Sequence, residues 1–445
     1  MKVVSRALFT VLALSMVASC NDDGPAFWDE PQDGGTGGTG GTGGTGGTGG
    51  TGGGGGTTGT AGSLGVATLV FAQEPGNTGF DEAAINGAGT VAVFLADSDP
   101  LGTNPGGEDQ LFSIAMGDPA PVQITSGSGG GFRSTNDFDI DSTGTVVVFV
   151  SDQDLTGDNP SNSLNVFAAL TDGSGFLQIT SLTSGSVANP GVAGDGSVIV
   201  FTSSEDLTGG NPMNYTQIFS IGPDGSNLTQ LTTGVTAADE LVISDDGTTL
   251  AWVDTSDPFG TNADGSREIF AMNVDGTNHM QLTTSAGDSL SPRISDDGAW
   301  VVFTSAAEFA ADSNADAKLE VYVAGTDGAT FNRITDTGWD SGLKFNGTAP
   351  AVDISGDGQW ITFMSYADLV GTNSNHTYTV YWSDLTGTQV QQLLRVETKP
   401  DGVSNRAAEV PRMSDDGNTI MFNALAPYSD NAPDNGWKIF THSRL

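Results

Sequence analysis

The side chains in this sequence best suited to chemistry are oxygen donors. Asp312-Ser313-Asn314-Ala315-Asp316, followed by Glu320, sets carboxylate and amide oxygens at alternate positions of a short segment. Calcium takes about six to eight hard oxygen ligands from such clusters. Asp312, Asn314, Asp316 and Glu320 are therefore candidate calcium ligands, and calcium is the only candidate cofactor. The segment lacks a glycine at its sixth position, and Glu320 stands at the ninth rather than the twelfth. It is not an EF-hand. Similar Asp- and Asn-rich stretches occur at 97–109, 152–159, 206–211, 254–264, 368–375 and 430–434. The competing reading is a set of solvated turns, where Asp and Asn are favoured because they bond their own backbone.

A second polar set comprises Asn136, Asp137, Asn189, Asp239, Glu240, Arg293, Glu409 and Arg412. Each stands shortly before one of a series of glycine turns. If the preceding strands line a common channel, these residues converge at its mouth, the usual place for a ligand. Arg293 and Arg412 stand out in a chain with 14 Lys+Arg. The structural alternative is that they pair with neighbouring acids. Signs of catalysis are weak. His279, His376 and His442 lie in different repeats without metal-ligand spacing. There is no Gly-x-Ser-x-Gly elbow, and the single cysteine, Cys20, stands near the N-terminus, outside the repeats.

The elements that must hold these residues repeat along the chain. Seven segments combine an apolar residue, a polar turn and a closing glycine: Ile85–Gly89, Ile140–Gly144, Val192–Gly196, Ile243–Gly247, Ile294–Gly298, Ile354–Gly358 and Met413–Gly417. The glycines are 55, 52, 51, 51, 60 and 59 residues apart. Asp and Ser hold such turns, and glycine supplies a positive φ. A strand follows each turn, carrying Phe94, Phe149, Phe201, Trp252, Phe303, Phe363 or Phe422. A further strand carries Phe112, Phe167, Phe219, Phe270, Tyr322, Tyr381 or Phe440. These rings are expected to pack between neighbouring units. Most units close with Ile-Thr or Leu-Thr, at 124–125, 179–180, 231–232, 282–283 and 334–335.

The last unit has no closing strand, and one orphan strand, Val66–Phe71, precedes the first. The expected fold is therefore all-β: a seven-bladed β-propeller over 66–445, closed by the N-terminal strand. Closure removes the open edges of an array.

The N-terminal region reads differently. Lys2 and Arg6 precede an apolar run, Ala7–Val17, too short to span a bilayer as a mature helix. Val17-Ala18-Ser19-Cys20 resembles the lipobox of bacterial lipoproteins, which implies a signal peptide over 1–19 and lipidation of Cys20. Residues 20–65, dominated by Gly-Gly-Thr repeats, lack core-forming residues and are expected to form a disordered tether. Such a coil spans about 35 Å on average. The formal net charge is −40, which excludes phosphate backbones as partners and favours cations or basic surfaces.

Ser-Asp-Asp-Gly, a strand, Ile-Phe or Val-Tyr, Asp-Gly and then Gln-Leu-Thr, cleanest over Ile243–Thr283, resembles the WD40-like (PD40) repeats of the TolB propeller family. TolB has six blades and a preceding α/β domain that this chain lacks. The resemblance implies the fold and leaves function open. The expected function is a non-enzymatic binding or scaffold propeller, monomeric and lipid-anchored in the bacterial cell envelope, recognising a protein, peptide or wall component and no nucleic acid. The alternative is a hydrolase or polysaccharide lyase, calcium-dependent, with its site at the channel mouth.

Overall fold

The computed structural model describes residues 68–72, 83–97, 101–104, 107–127, 138–183, 186–309, 314–337, 352–374, 376, 379–393, 408–424 and 438–444. Among them are twenty-eight strands and no helix, forming seven four-stranded antiparallel sheets, the blades of a propeller. The inner strands of blades 1 to 7 are Ala83–Ile85, Phe138–Ile140, Val187–Val192, Asp239–Ile243, Ser289–Ile294, Val352–Ile354 and Ala408–Met413. Each runs into its glycine turn, and the closing glycines have φ of 61–72°. In blade 4 the Ser244 hydroxyl accepts the Thr249 N–H at 3.0 Å and donates to Asp246 at 2.6 Å. Ser295, Ser355 and Ser414 repeat this pattern. Asn86 and Asp141 accept the same N–H groups in blades 1 and 2.

The two aromatic columns pair within blades. Phe94–Phe112, Phe149–Phe167, Phe201–Phe219, Trp252–Phe270, Phe303–Tyr322, Phe363–Tyr381 and Phe422–Phe440 stack across adjacent strands with centroids 5.6–5.7 Å apart. Strand alternation points each pair at the preceding blade. Phe149 and Phe167 pack on Val93, Leu95 and Leu111 of blade 1, while Phe94 and Phe112 pack on Met421 and Ile439 of blade 7. Each buried ring contributes about 1.5–3 kcal/mol. No blade has this cover without its neighbour.

The closing threonines lock the outer half of each sheet. Thr125, Thr180, Thr232, Thr283 and Thr335 accept the N–H of Leu111, Val166, Ile218, Ile269 and Val321 at 2.8–3.0 Å. Each also donates to the side chain just before that residue: Gln110, Asn165, Gln217, Glu268 or Glu320. The orphan strand completes blade 7 as expected. Thr68–Ala72 runs antiparallel to Lys438–Ser443, pairing Leu69 with Phe440 and Ala72 with Lys438.

Candidate functional site: the central channel

The glycine turns form one end of the channel and are bonded into a ring. Ser142 N–H donates to the Gly194 carbonyl, Gly194 to Asp245, Asp246 to Asp296, Asp296 to Gly356, Asp357 to Asp415 and Asp415 to Gly87, at 2.8–3.2 Å. The Asn86 amide closes the last gap by donating to the Ser142 carbonyl at 3.0 Å. Every blade is thus tied to the next through the third motif position, occupied in order by Gly87, Ser142, Gly194, Asp245, Asp296, Gly356 and Asp415.

Four of these seven turns form without aspartate there, so turn chemistry does not require it. The three aspartates instead converge. Asp245, Asp296 and Asp415 each offer a carboxylate oxygen, and the three oxygens lie within 4.8 Å of one another. They lean over glycines of neighbouring turns. A β-carbon on Gly87 would stand 1.9 Å from Asp415 Oδ2, and one on Gly356 1.8 Å from Asp296 Oδ2. Burial, reinforced by repulsion from nearby carboxylates, pushes Asp245 up to about 8, Asp296 to about 7 and Asp415 to about 6. Three hard carboxylates suit Ca²⁺, Mg²⁺ or Mn²⁺. Three is fewer than calcium takes, so water or a ligand would supply the rest.

A second layer lies one turn higher, at the residue before each motif: Ala84, Asp139, Gly191, Val242, Arg293, Asp353 and Arg412. Asp139 and Asp353 face the fields of both arginines. Asp139 accepts the Val192 N–H of the next blade at 3.0 Å, and Asp353 accepts the Met413 N–H at 2.8 Å. Burial still raises both carboxyls above their ordinary value, outweighing the two guanidinium groups. Both layers line one cavity of about 160 Å³ along the axis.

At the opposite end the inner strands of blades 3, 4, 5 and 7 carry bulges. Asn189, Glu240 and Ser291 there have φ of 50°, 50° and 56°. Left-handed backbone costs a non-glycine residue about 1–2 kcal/mol, and bonds between blades offset it. Asn189 donates to Asp239 Oδ1 at 3.2 Å, and the Ser291 N–H donates to Glu240 Oε2 at 2.5 Å. Arg267 reaches Glu240 at 2.7 Å and Asp239 at 3.1 Å. Burial raises the Glu240 carboxyl, with Arg267 opposing.

Of the residues expected at the mouth, Asn189, Asp239 and Glu240 gather in blades 3 and 4. Arg293 and Arg412 lie deeper, in the layer with Asp139 and Asp353. Glu409 is in the inner strand of blade 7, with its side chain outside the description. Asn136, Asp137, Asp312 and Cys20, with the signal peptide and tether, lie outside the described residues.

The remaining candidate calcium ligands point in different directions. Glu320 is fully buried between strands, bonded to Thr335 Oγ1 at 2.5 Å and Thr337 N–H at 2.8 Å. Asp316 is exposed, and the Asn314 amide donates to the Lys318 carbonyl at 2.7 Å. Related loops close on a buried asparagine in the same way. Asn159, Asn211, Asn262 and Asn373 each take the carboxylate of an aspartate five residues earlier on their N–H, at 2.7–2.9 Å. Their amides donate to carbonyls of the same loops.

Sequence reasoning missed Asp139, Asp353, the aspartate trio and Arg267. Aligning the seven turns would have exposed the first two sets, as charged residues in columns otherwise apolar or small. Arg267 enters from a loop, and nothing in its sequence neighbourhood marks it.

No protein-family model matches this sequence, and no curated protein sequence matches it. Solved structures do. Oligogalacturonate lyase from Vibrio parahaemolyticus is similar at a TM-score of 0.54 and 12% identity, over 84% of this chain and 91% of that one. An oligogalacturonate lyase in complex with manganese gives 0.53 and 11%, over 85% and 97%. A putative TolB from Agrobacterium tumefaciens gives 0.41 and 19%, over 58% and 80%. At these identities the likeness to the lyases shows the propeller fold.

Proposed function

We propose that this chain is a binding propeller of the bacterial cell envelope, a TolB-like (PD40) repeat lipoprotein anchored through Cys20, that takes a protein, peptide or wall component in its central channel. The leader and Val17–Cys20 support the anchor. The observation that carries the binding role is the axial cavity. Arg293, Arg412, Asp139 and Asp353 line it where an apolar plug would otherwise fill the axis. Buried charges are costly unless paired, and a core of Val and Ile would hold the blades at least as well. Two arginines and two acids at one level offer a ligand both donors and acceptors. The test is calorimetric titration of the full chain, in detergent, with muropeptides and with lysine-rich peptides. One class should bind, and Arg412→Gln should weaken it about tenfold or more, as expected for a lost charged hydrogen bond. Absence of heat with both classes would refute the reading.

A second reading, a metal-assisted hydrolase or polysaccharide lyase, is favoured by the aspartate trio, whose oxygens lie within 4.8 Å. A divalent ion held there would act as a Lewis acid on a bound oxygen. A melting midpoint that rises with Ca²⁺ or Mn²⁺ in the wild type and not in Asp296→Asn would support it.

A further inference from the structure

Blade 3 departs from the repeat on the face opposite the glycine turns. Two residues after the loop asparagine, blades 2, 4 and 5 have Ser161, Asp264 and Asp316, whereas blade 3 has Met213, 70% exposed. Two positions further on, Ser163, Ser266 and Lys318 correspond to Tyr215, which is half-buried. In the connection to blade 4, Val235, three residues after Thr232, is 68% exposed, where the next blade has Ala286 three residues after Thr283.

These residues are neighbours. Ala237 forms a parallel bridge with Thr216, and Thr236 Oγ1 donates to the Thr216 carbonyl at 2.5 Å. Val235 therefore runs beside the 213–215 segment. The loop is rigid, because Asn211 bonds both the N–H and the carbonyl of Tyr215, at 3.1 and 2.7 Å. A methionine held out on a stiff loop adds nothing to the core, and the repeat forms without it. Scattered exposed apolar residues are ordinary, as are Leu101, Phe259 and Val370 in the corresponding loops of blades 1, 4 and 6; Met213 and Val235, more exposed than any of these and side by side, are not.

The charge around this patch has one dominant sign. Asp206 and Asp257 are exposed in the flanking loops. Asp239 keeps 55% of its side chain in solvent beside Arg267.

We propose that Met213, Tyr215 and Val235 form a docking surface on the mouth face of blade 3, for a protein partner that sets an apolar side chain among basic ones. The apolar anchors supply burial, and the acidic rim selects against acidic partners and speeds encounter with basic ones. The surface lies outside the channel and does not depend on a channel ligand.

The test measures the affinity of the full chain for an alternating Lys–Leu peptide and for its Glu–Leu counterpart. Met213→Asp and Val235→Asp are the variants, and both side chains are exposed enough to leave the fold intact. Val122→Asp, at an exposed apolar position on the far end of blade 1, is the control. The Lys–Leu peptide should bind at least tenfold more weakly to both variants, bind normally to the control, and outbind the Glu–Leu peptide. Equal binding to wild type and both variants, or equal loss in the control, would overturn the proposal. So would wild-type self-association abolished by Met213→Asp, which would make a second copy the occupant.

Discussion

Replacing Asp245 by Asn removes one of three carboxylates that share the turn end of the channel. The unfolded chain titrates each near 3.8, whereas the folded chain holds Asp245 to about 8, Asp296 to about 7 and Asp415 to about 6. The folded state thus binds more protons between about pH 4 and pH 8, so stability must fall as pH rises through that window and level off above it. Taken alone, the difference for Asp245 corresponds to roughly 5–6 kcal/mol at about 1.4 kcal/mol per pH unit. That figure counts repulsion shared with Asp296 and Asp415, which titrate as a group, and solvent in the channel screens it. A relief of about 1–3 kcal/mol is the reasonable scale. Asn keeps the shape, and the backbone ring through Gly194 N–H and the Asp245 carbonyl does not use the side chain. Denaturant melts of wild type and Asp245→Asn should therefore coincide near pH 4 and diverge towards pH 8.5, with the variant more stable. Coincident curves at every pH, or a wild type that gains stability from pH 5 to 8.5, would refute the reasoning.

Other substitutions probe the parts that hold the channel in place. His279 sits in blade 4 against Trp252 and Phe259, where burial lowers its pKa and blade 5 has Phe331. His279→Phe should abolish the stability lost as pH falls through the histidine range, about 6.5 and below, seen as a higher melting midpoint at pH 5. Thr335→Val removes the hydroxyl that bonds buried Glu320, so a loss of about 1–3 kcal/mol is expected in urea melts. Glu320→Met added to it should recover part of that loss. Gly356→Ala pushes a methyl against Asp296 Oδ2 and should cost about 1–3 kcal/mol. The cost should shrink when Asp296→Ala is present, as a double-mutant cycle reads directly.

The blades were legible because their signals are local and repeated. A turn that needs glycine at positive φ, and stacked rings at fixed offsets, appear at the same positions seven times. The orphan strand was legible by subtraction, since blade 7 lacked an outer strand and one strand had no blade. Arg293 and Arg412 could be assigned to inner strands from their place before the turns, but not their depth along the axis, since each stands near the end of its strand rather than at its start. Asp245, Asp296 and Asp415 were read as turn residues, because aspartate is as natural there as serine, and only their convergence distinguishes them. The loops at 152–159 and 206–211 were ambiguous for the opposite reason. Asp and Asn spaced to hold a cation are also spaced to hold a backbone, and Asn159 and Asn211 do the latter. Glu320 belongs to a column with Gln110, Asn165, Gln217 and Glu268, fifteen residues before a threonine. That periodicity was present in the sequence and marks a strand lock.

The most direct test is an experimental density map of the channel. Seven sheets should surround it, with Thr68–Ala72 paired to Lys438–Ser443. Asp245, Asp296 and Asp415 should meet at the turn end, with Arg293, Arg412, Asp139 and Asp353 one layer above around an open cavity. Six or eight sheets, or an axis packed solid with apolar side chains, would contradict the account.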